Sequence, residues 1–465
     1  MPEQPPFTIP PDERQPNDVE AATTAADRQA EWIREYWYQQ DLRSELARRL
    51  IATRNERATD PERARDYDLI AAISRDGEPI LVVDDERLVR TVGSVADTIA
   101  ELARLGWDAE PIAELDDRVV RAFHATKEES EPVRLPFLRR TVGRVLAAIS
   151  SLRRRGSTLD VRPHFVAPMG IVMKADCDPE PAAARWLHPW DLGTEHAVTV
   201  AVIYTGIAAA KRTDGWLAVP VDASNEDILD DIPRDGFLDV GAGHGTFAAG
   251  VVQQVAPNAS IRVHRALETD GLGSEKQVAI AMVQAAEAAA KSGNPVIVNL
   301  SLGMETDDDR PPVAIEVAVE LIRERHPDAL LVAAAGNFGR DRPCWPAALK
   351  HVIAVGGLTR ALDPADWSSH GSWVDCSTIG EGVLSPYVTG DELPDDDPGP
   401  PDRYPQDAWA VWTGTSFAAP QVVGAVAQIV QREGSITPRE AFARLVAGTP
   451  TRPGYGNVVE ILPPT

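Results

Sequence analysis

Four short segments of the chain are near-continuous runs of Val, Ile, Leu and Ala: residues 198–203, 296–302, 330–335 and 352–355. Strands of that composition are buried on both faces, which is the condition of a parallel sheet covered by helices. Stretches with helical periodicity at 275–290 and 312–325 lie between them, so the pattern predicts consecutive βαβ units. Residues from about 180 to 465 therefore read as one doubly wound α/β domain. Within it, 390–406 ("GDELPDDDPGPPDRYPQ") has the composition of a surface insertion loop.

The region before it has a different texture. Residues 1–18 are Pro-rich and polar and predict a disordered tail. From 19 to 74, Trp32, Ile33, Tyr36, Trp37, Leu42, Leu46, Leu50 and Ile51 recur at three-to-four-residue spacing among charged residues, as in amphipathic helices packed on a neighbour. From 75 to 168 the periods read strand (79–92), helix capped by Ser94, strands near 109–115 and 118–124, helix (138–152) and strand (159–166). That order, β-α-β-β-α-β, predicts a small ferredoxin-like α+β module.

Composition narrows the function. A formal net charge of −25 repels phosphate backbones and anionic lipid surfaces, so neither nucleic acid nor membrane is expected as a partner. Cys177, Cys344 and Cys376 are the three cysteines, too few for a disulfide framework. No residue pair has zinc spacing. The first twenty residues lack a basic and an apolar region, and no apolar run reaches the about 18 residues of a spanning helix. A cytoplasmic location is expected.

Three segments carry chemistry. "TGTSFAAP" (413–420) places Ser416 among small residues at the head of a helix, where backbone N–H groups and the positive dipole end lie close. "GAGHGTFAAG" (241–250) sets His244 among glycines, which let an imidazole approach another backbone. "VAAAGNFG" (332–339) ends a strand with Asn337, whose amide is a donor suited to an oxyanion. Each alone has a structural explanation: a helix cap, a surface histidine, a turn asparagine.

Taken in order, with "VTVAVIYTGI", "APNASIRVHRAL", "VIVNLSLG", "WPAALKHVIAVGG" and "GTSFAAPQVVGAVA", they resemble the subtilisin-like serine peptidases over about 186–450. The resemblance implies the subtilisin fold and endopeptide hydrolysis of protein or peptide substrates, with Ser416 as nucleophile, His244 as general base and Asn337 as oxyanion donor. It implies that Ser301, Leu302 and Gly303 line the substrate edge, where an extended peptide adds as a strand. It implies that the upstream module is prodomain-like. No cofactor is expected, and calcium, which many members bind, stays unassigned for want of a dense oxygen-ligand spacing.

One position departs from the family. Its first strand ends in an aspartate; here Tyr204 stands in that place. The aspartate fixes the imidazole tautomer and stabilises the imidazolium, and in the family its loss alone costs about 3 × 10⁴-fold in kcat, about 6 kcal/mol. Three explanations stay open: a peptide-binding or regulatory pseudopeptidase, a replacement carboxylate with Asp239 the nearest in sequence, or a substitution at 204. The acidic stretch 391–397 predicts a preference for basic peptides by electrostatic steering. The helices of 19–74 offer a contact for a regulatory protein partner.

Overall fold

The computed structural model describes residues 23–28, 30, 51–56, 70–75, 78–124, 158–168, 179–182, 197–232, 234–392 and 401–463. The expected tail, the helix at 138–152, the aromatic positions 32–37 and Cys177 lie outside the described residues.

The smaller module is a sheet of β1 (Ile70–Arg75), β2 (Glu78–Arg90), β3 (Trp107–Pro111), β4 (Val119–His124) and β5 (Val161–Pro168), with α1 (Val95–Arg104) on it. Ser94 caps α1 by accepting from the Asp97 N–H, as a serine ahead of an apolar-periodic segment should. The sheet starts at Ile70, earlier than the boundary read from periodicity, because β1 folds back on β2 as an antiparallel hairpin.

The following strands are β6 (Glu180–Ala182), β7 (Thr199–Tyr204), β8 (Ile207–Ala208), β9 (Glu226–Asp227), β10 (Ser260–Arg265) and β11 (Leu272–Ser274). Then come β12 (Val296–Leu300), β13 (Leu330–Ala334), β14 (Val352–Leu358), β15 (Cys376–Ile379), β16 (Val383–Pro386), β17 (Gly390–Asp391), β18 (Arg403–Tyr404), β19 (Trp409–Trp412), β20 (Thr451–Arg452) and β21 (Gly456–Val458). The central sheet runs β10-β7-β12-β13-β14-β15-β21-β20. All neighbouring pairs from β10 to β21 are parallel, as the apolar runs require. The insertion at 390–406 begins and ends in the β17–β18 pair.

The large-domain helices are α2 (His244–Val255), α3 (Glu275–Ala290), α4 (Val313–Arg325), α5 (Thr415–Glu433) and α6 (Pro438–Val446). Side chains of β7 alternate between the layers: Val200 and Val202 pack with Phe247, Val251 and Val422 of α2 and α5, whereas Ala201 and Ile203 pack with Val278, Met282 and Val317 of α3 and α4. This two-sided burial places the carboxyl ends of β7, β12 and β13 together, where sites form in open α/β sheets.

The module and the large domain share one sheet, in the order β11-β5-β2-β4-β3. β5 pairs antiparallel with β11 through Leu272↔Pro168, Gly273↔Ala167 and Ser274↔Val166. Beside that seam the buried Glu275 carboxylate accepts from Phe165 N–H of β5 at 3.3 Å and from Ala314 N–H of α4 at 3.2 Å. Around its rim Arg90 pairs with Glu320, Arg118 with Glu324 and Arg310 with Asp160.

Candidate active site

Tyr204 is the last residue of β7 and is fully buried. Its hydroxyl donates to Ser416 Oγ at 3.2 Å. The phenol thus acts as a donor rather than an acceptor, because Ser416 Oγ spends its own proton on the Ser301 carbonyl at 2.9 Å. Burial raises the phenol pKa far above its usual value, so Tyr204 is neutral and supplies no charge.

Ser416 lies in the first turn of α5, behind the cap residue Gly414, and so is not itself the cap. Pro420 falls inside the same helix and has no N–H to bond the carbonyl four residues back. That carbonyl, of Ser416, accepts instead from Ser301 Oγ at 2.8 Å, and Asn299 Nδ2 donates to Ser301 Oγ at 2.8 Å. The β12 end and the α5 head are thereby locked together. Leu302 is buried, and Gly303 and Gly336 both abut the Cys344 thiol: a Cβ on either would lie 2.4 or 2.8 Å from Sγ. Burial raises the Cys344 pKa above its usual range, consistent with a small packing group.

Asn337 follows β13. Its Oδ1 accepts from Thr415 N at 2.9 Å and Thr415 Oγ1 at 2.8 Å, which fixes the amide orientation. The Nδ2 end faces Gly414, where a Cβ would come within 3.3 Å.

His244 opens α2 after Gly243, whose φ of 77° lies in the left-handed region that glycine adopts at little cost. The next glycine is needed for proximity: a Cβ on Gly245 would lie 2.0 Å from the Gly206 carbonyl oxygen. The imidazole is enclosed by aromatic rings, with centroids at 3.8 Å to Trp412, 5.1 Å to Phe417 and 4.8 Å to Tyr204, the last edge-on. The structure thus brings Tyr204, His244, Ser301, Asn337 and Ser416 to one place, with the phenol on the serine.

A residue that carries no local signature joins them. Asp227 of β9 is buried, and its Oδ2 accepts from Thr205 Oγ1 at 3.0 Å and from Gly243 N–H at 2.9 Å. Thr205 Oγ1 in turn accepts from Gly245 N–H at 3.2 Å. One carboxylate therefore ties the strand end behind Tyr204 to the loop ahead of His244, while its Oδ1 is buried without a hydrogen-bond partner. Burial pushes its pKa up to about 6. Asp239, the carboxylate nearest His244 in sequence, turns elsewhere: its Oδ2 accepts from the Asp231 and Ile232 N–H groups, each at 2.8 Å.

The Subtilase family model matches residues 195–458. The chain belongs to the subtilase family. Among curated relatives, a thermophilic serine proteinase of Bacillus sp. (strain AK1) is 32% identical over 229 residues, 46% of this chain and 50% of the relative. Thermitase of Thermoactinomyces vulgaris is 28% identical over 261 residues, 53% of this chain and 78% of thermitase. Subtilisin BL of Lederbergia lenta is 30% identical over 254 residues, 52% and 79% of the respective chains. The chain thus spans half the length of the Bacillus relative and about four fifths of thermitase and subtilisin BL. A solved lanthipeptide protease aligns with a TM-score of 0.41 at 22% identity over 57% of this chain and 85% of its own.

This subtilase holds, among the described residues, no group of three or more His, Cys, Asp or Glu placed to hold a metal ion, and no described helix is long and apolar enough to cross a membrane.

Proposed function

We propose that this subtilase hydrolyses peptide bonds of a protein or peptide substrate through a serine acyl-enzyme, and that Tyr204 holds the site in a suppressed state. Ser416 Oγ attacks the scissile carbonyl, His244 takes its proton and returns it to the leaving amine, and the Ser416 N–H and Asn337 Nδ2 receive the oxyanion. The substrate lies against Ser301, Leu302 and Gly303 as an added strand. The observation that carries the suppressed state is the buried, neutral Tyr204 side chain, which packs its ring on the His244 imidazole and its hydroxyl on Ser416 Oγ at 3.2 Å: a phenol, not a carboxylate, stands against the base.

Residues 75–168, extended back to Ile70, are proposed as a prodomain-like module, which the β5–β11 pairing supports. Cytoplasmic residence is part of the same proposal and rests on the sparse cysteine usage.

Labelling by a fluorophosphonate serine probe tests the reading on the full chain, its Tyr204→Asp variant and its Ser416→Ala variant. The expected result is no label on Ser416→Ala, and labelling of Tyr204→Asp faster than the unsubstituted chain by on the order of 10³–10⁴-fold. Equal rates for the two would overturn suppression by Tyr204. No labelling of either would favour the rival reading, a peptide-binding or regulatory pseudopeptidase.

A further inference from the structure

Two glycines stand where the proposed cleft meets the catalytic groups. Gly303 ends the edge Ser301–Gly303 that continues β12, and Gly336 immediately precedes Asn337 beyond β13. A side chain begun at either would run into one atom. The Cβ of Gly303 would fall well inside contact distance of Cys344 Sγ, and that of Gly336 would lie 2.8 Å from the same sulfur. The Cys344 side chain, wholly buried, therefore fills the space that the two bare backbones leave between them.

The walls of this slot are tied to each other. Met304 and Trp345 exchange backbone hydrogen bonds in both directions at 2.9 and 2.8 Å, which holds the residue after Cys344 against the residue after Gly303. On the Gly336 side the Phe338 ring and Ser369 Oγ would each lie 3.2 Å from an added Cβ, and Ser369 Oγ accepts from Phe338 N–H at 3.1 Å. Arg340 Nε donates to Glu305 Oε1 at 2.8 Å and so links the segment after Asn337 to the segment after Gly303. Packing this close does not take in a further group without displacing what is there.

The chemistry of attack determines what the slot faces. With the acyl carbon on Ser416 Oγ and its oxygen between the Ser416 N–H and Asn337 Nδ2, the acyl α carbon is one bond further on. Gly336 is covalently next to Asn337, and its N–H donates to Thr415 Oγ1 at 3.1 Å, beside Ser416. A substrate strand along Ser301–Gly303 passes the other glycine. Side chains of an extended strand alternate between its two faces, and the one on this α carbon is directed at the gap between Gly303 and Gly336, where the sulfur already lies.

We propose that Cys344 sets the specificity of the cleft by filling the side-chain slot beside Ser416, so that the residue supplying the scissile carbonyl is glycine. The inference rests on the reading of Ser416 as nucleophile and of Ser301–Gly303 as the substrate edge. Cys344 acts by volume: burial raises its thiol pKa above the usual range, so it stays protonated and offers no second nucleophile. One methylene in an apolar pocket is discriminated by about 10–200-fold, and a leucine or an aromatic residue exceeds glycine by several carbons.

The test is fluorescence anisotropy on full-length chains carrying Ser416→Ala, so that no cleavage is involved. The probes are two labelled product peptides, identical except that one ends in glycine and the other in leucine, whose terminal carboxylate takes the place of the scissile carbonyl. The glycine peptide should bind at least tenfold tighter. Adding Cys344→Ala should tighten the leucine peptide at least tenfold and leave the glycine peptide within threefold, whereas Cys344→Ser, which keeps most of the side-chain volume, should retain the preference. Equal affinity for the two peptides, a preference unchanged by Cys344→Ala, or binding of neither by a chain with a cooperative melt overturns the proposal. If Cys344→Ala does not fold, digestion of a degenerate peptide library by the Tyr204→Asp chain decides without a cysteine variant: glycine should precede most cleaved bonds, and a majority of larger residues there overturns it. Binding does not use the Ser416 hydroxyl, so glycine preference without fluorophosphonate labelling would sink the catalytic reading alone, and labelling without the preference would sink this one alone.

Discussion

The Tyr204 hydroxyl sits 3.2 Å from Ser416 Oγ while its ring edge meets the His244 imidazole at 4.8 Å between centroids. One side chain thus contacts both members of the proposed nucleophile–base pair. The hydroxyl and the ring act differently, and Tyr204→Phe separates them. Removing the hydroxyl frees Ser416 from a donor but supplies no carboxylate to the imidazole. Fluorophosphonate labelling of Tyr204→Phe should therefore stay within about tenfold of the unsubstituted chain, with a stability loss of about 1 kcal/mol for one hydrogen bond. A Phe variant as reactive as Tyr204→Asp would mean that the hydroxyl alone suppresses the site.

Asp227 should matter for stability and for its pH dependence. Asp227→Ala leaves Thr205 Oγ1 and the Gly243 N–H without their buried acceptor, at about 1–3 kcal/mol for each group, read as a lower urea midpoint. Burial raises the folded carboxyl to about 6 from its ordinary 3.8. Between those values the folded state holds the proton that the unfolded state has released, so the native state loses stability as pH rises through about 6. Asp227→Asn does not titrate. Its stability deficit relative to the unsubstituted chain should be larger at pH 4.5 than at pH 7.5, and a deficit independent of pH would refute the assignment.

The contrast between Asp227 and Ser416 shows what the sequence made legible. Ser416, His244 and Asn337 stand in runs of glycine and alanine because their backbones must approach others closely, as Gly245 approaches Gly206; that requirement marks the sequence locally. The central strands were legible for a similar reason, since burial on two faces leaves a continuous apolar run. Asp227 acts through Thr205 and Gly243, which are distant in sequence, and "NEDILDD" resembles any acidic surface turn. The same holds for the buried ion pair of Arg54 and Asp270, 216 residues apart, and for β11, whose pairing with β5 depends on how two regions dock. The helix at 138–152 and the middle of the acidic insertion lie outside the described residues.

Glu275 should control how firmly β5 is held. Its carboxylate accepts from Phe165 N–H and Ala314 N–H, and burial pushes its pKa up to about 7. Glu275→Ala leaves both amides without a partner, so amide hydrogen exchange at Phe165 should speed up by tenfold or more while amides of β13 change little. The rim ion pairs of Arg90 and Arg118 are partly exposed and contribute about 0–1 kcal/mol each. Raising the salt concentration should therefore move Phe165 exchange far less than Glu275→Ala does.

Cys344 and Gly303 should be energetically coupled. A methyl at Gly303 would lie 2.4 Å from Cys344 Sγ, inside any tolerated contact, and overpacking of this kind costs about 1–3 kcal/mol. Gly303→Ala should lower the unfolding midpoint accordingly. Cys344→Ala on its own removes a buried sulfur and also costs stability. In the double variant the alanine methyl at 303 occupies space the sulfur has left, so the two losses should be less than additive. A coupling energy of at least about 0.5 kcal/mol is expected for groups in contact, and additivity in the cycle would show that the β12 end has shifted to avoid the thiol. Because Ser301 and Ser416 are bonded to each other two residues away, such a shift would also appear as slower labelling of Gly303→Ala in the Tyr204→Asp background. Unchanged labelling together with strong coupling would confine the contact to packing beneath the cleft.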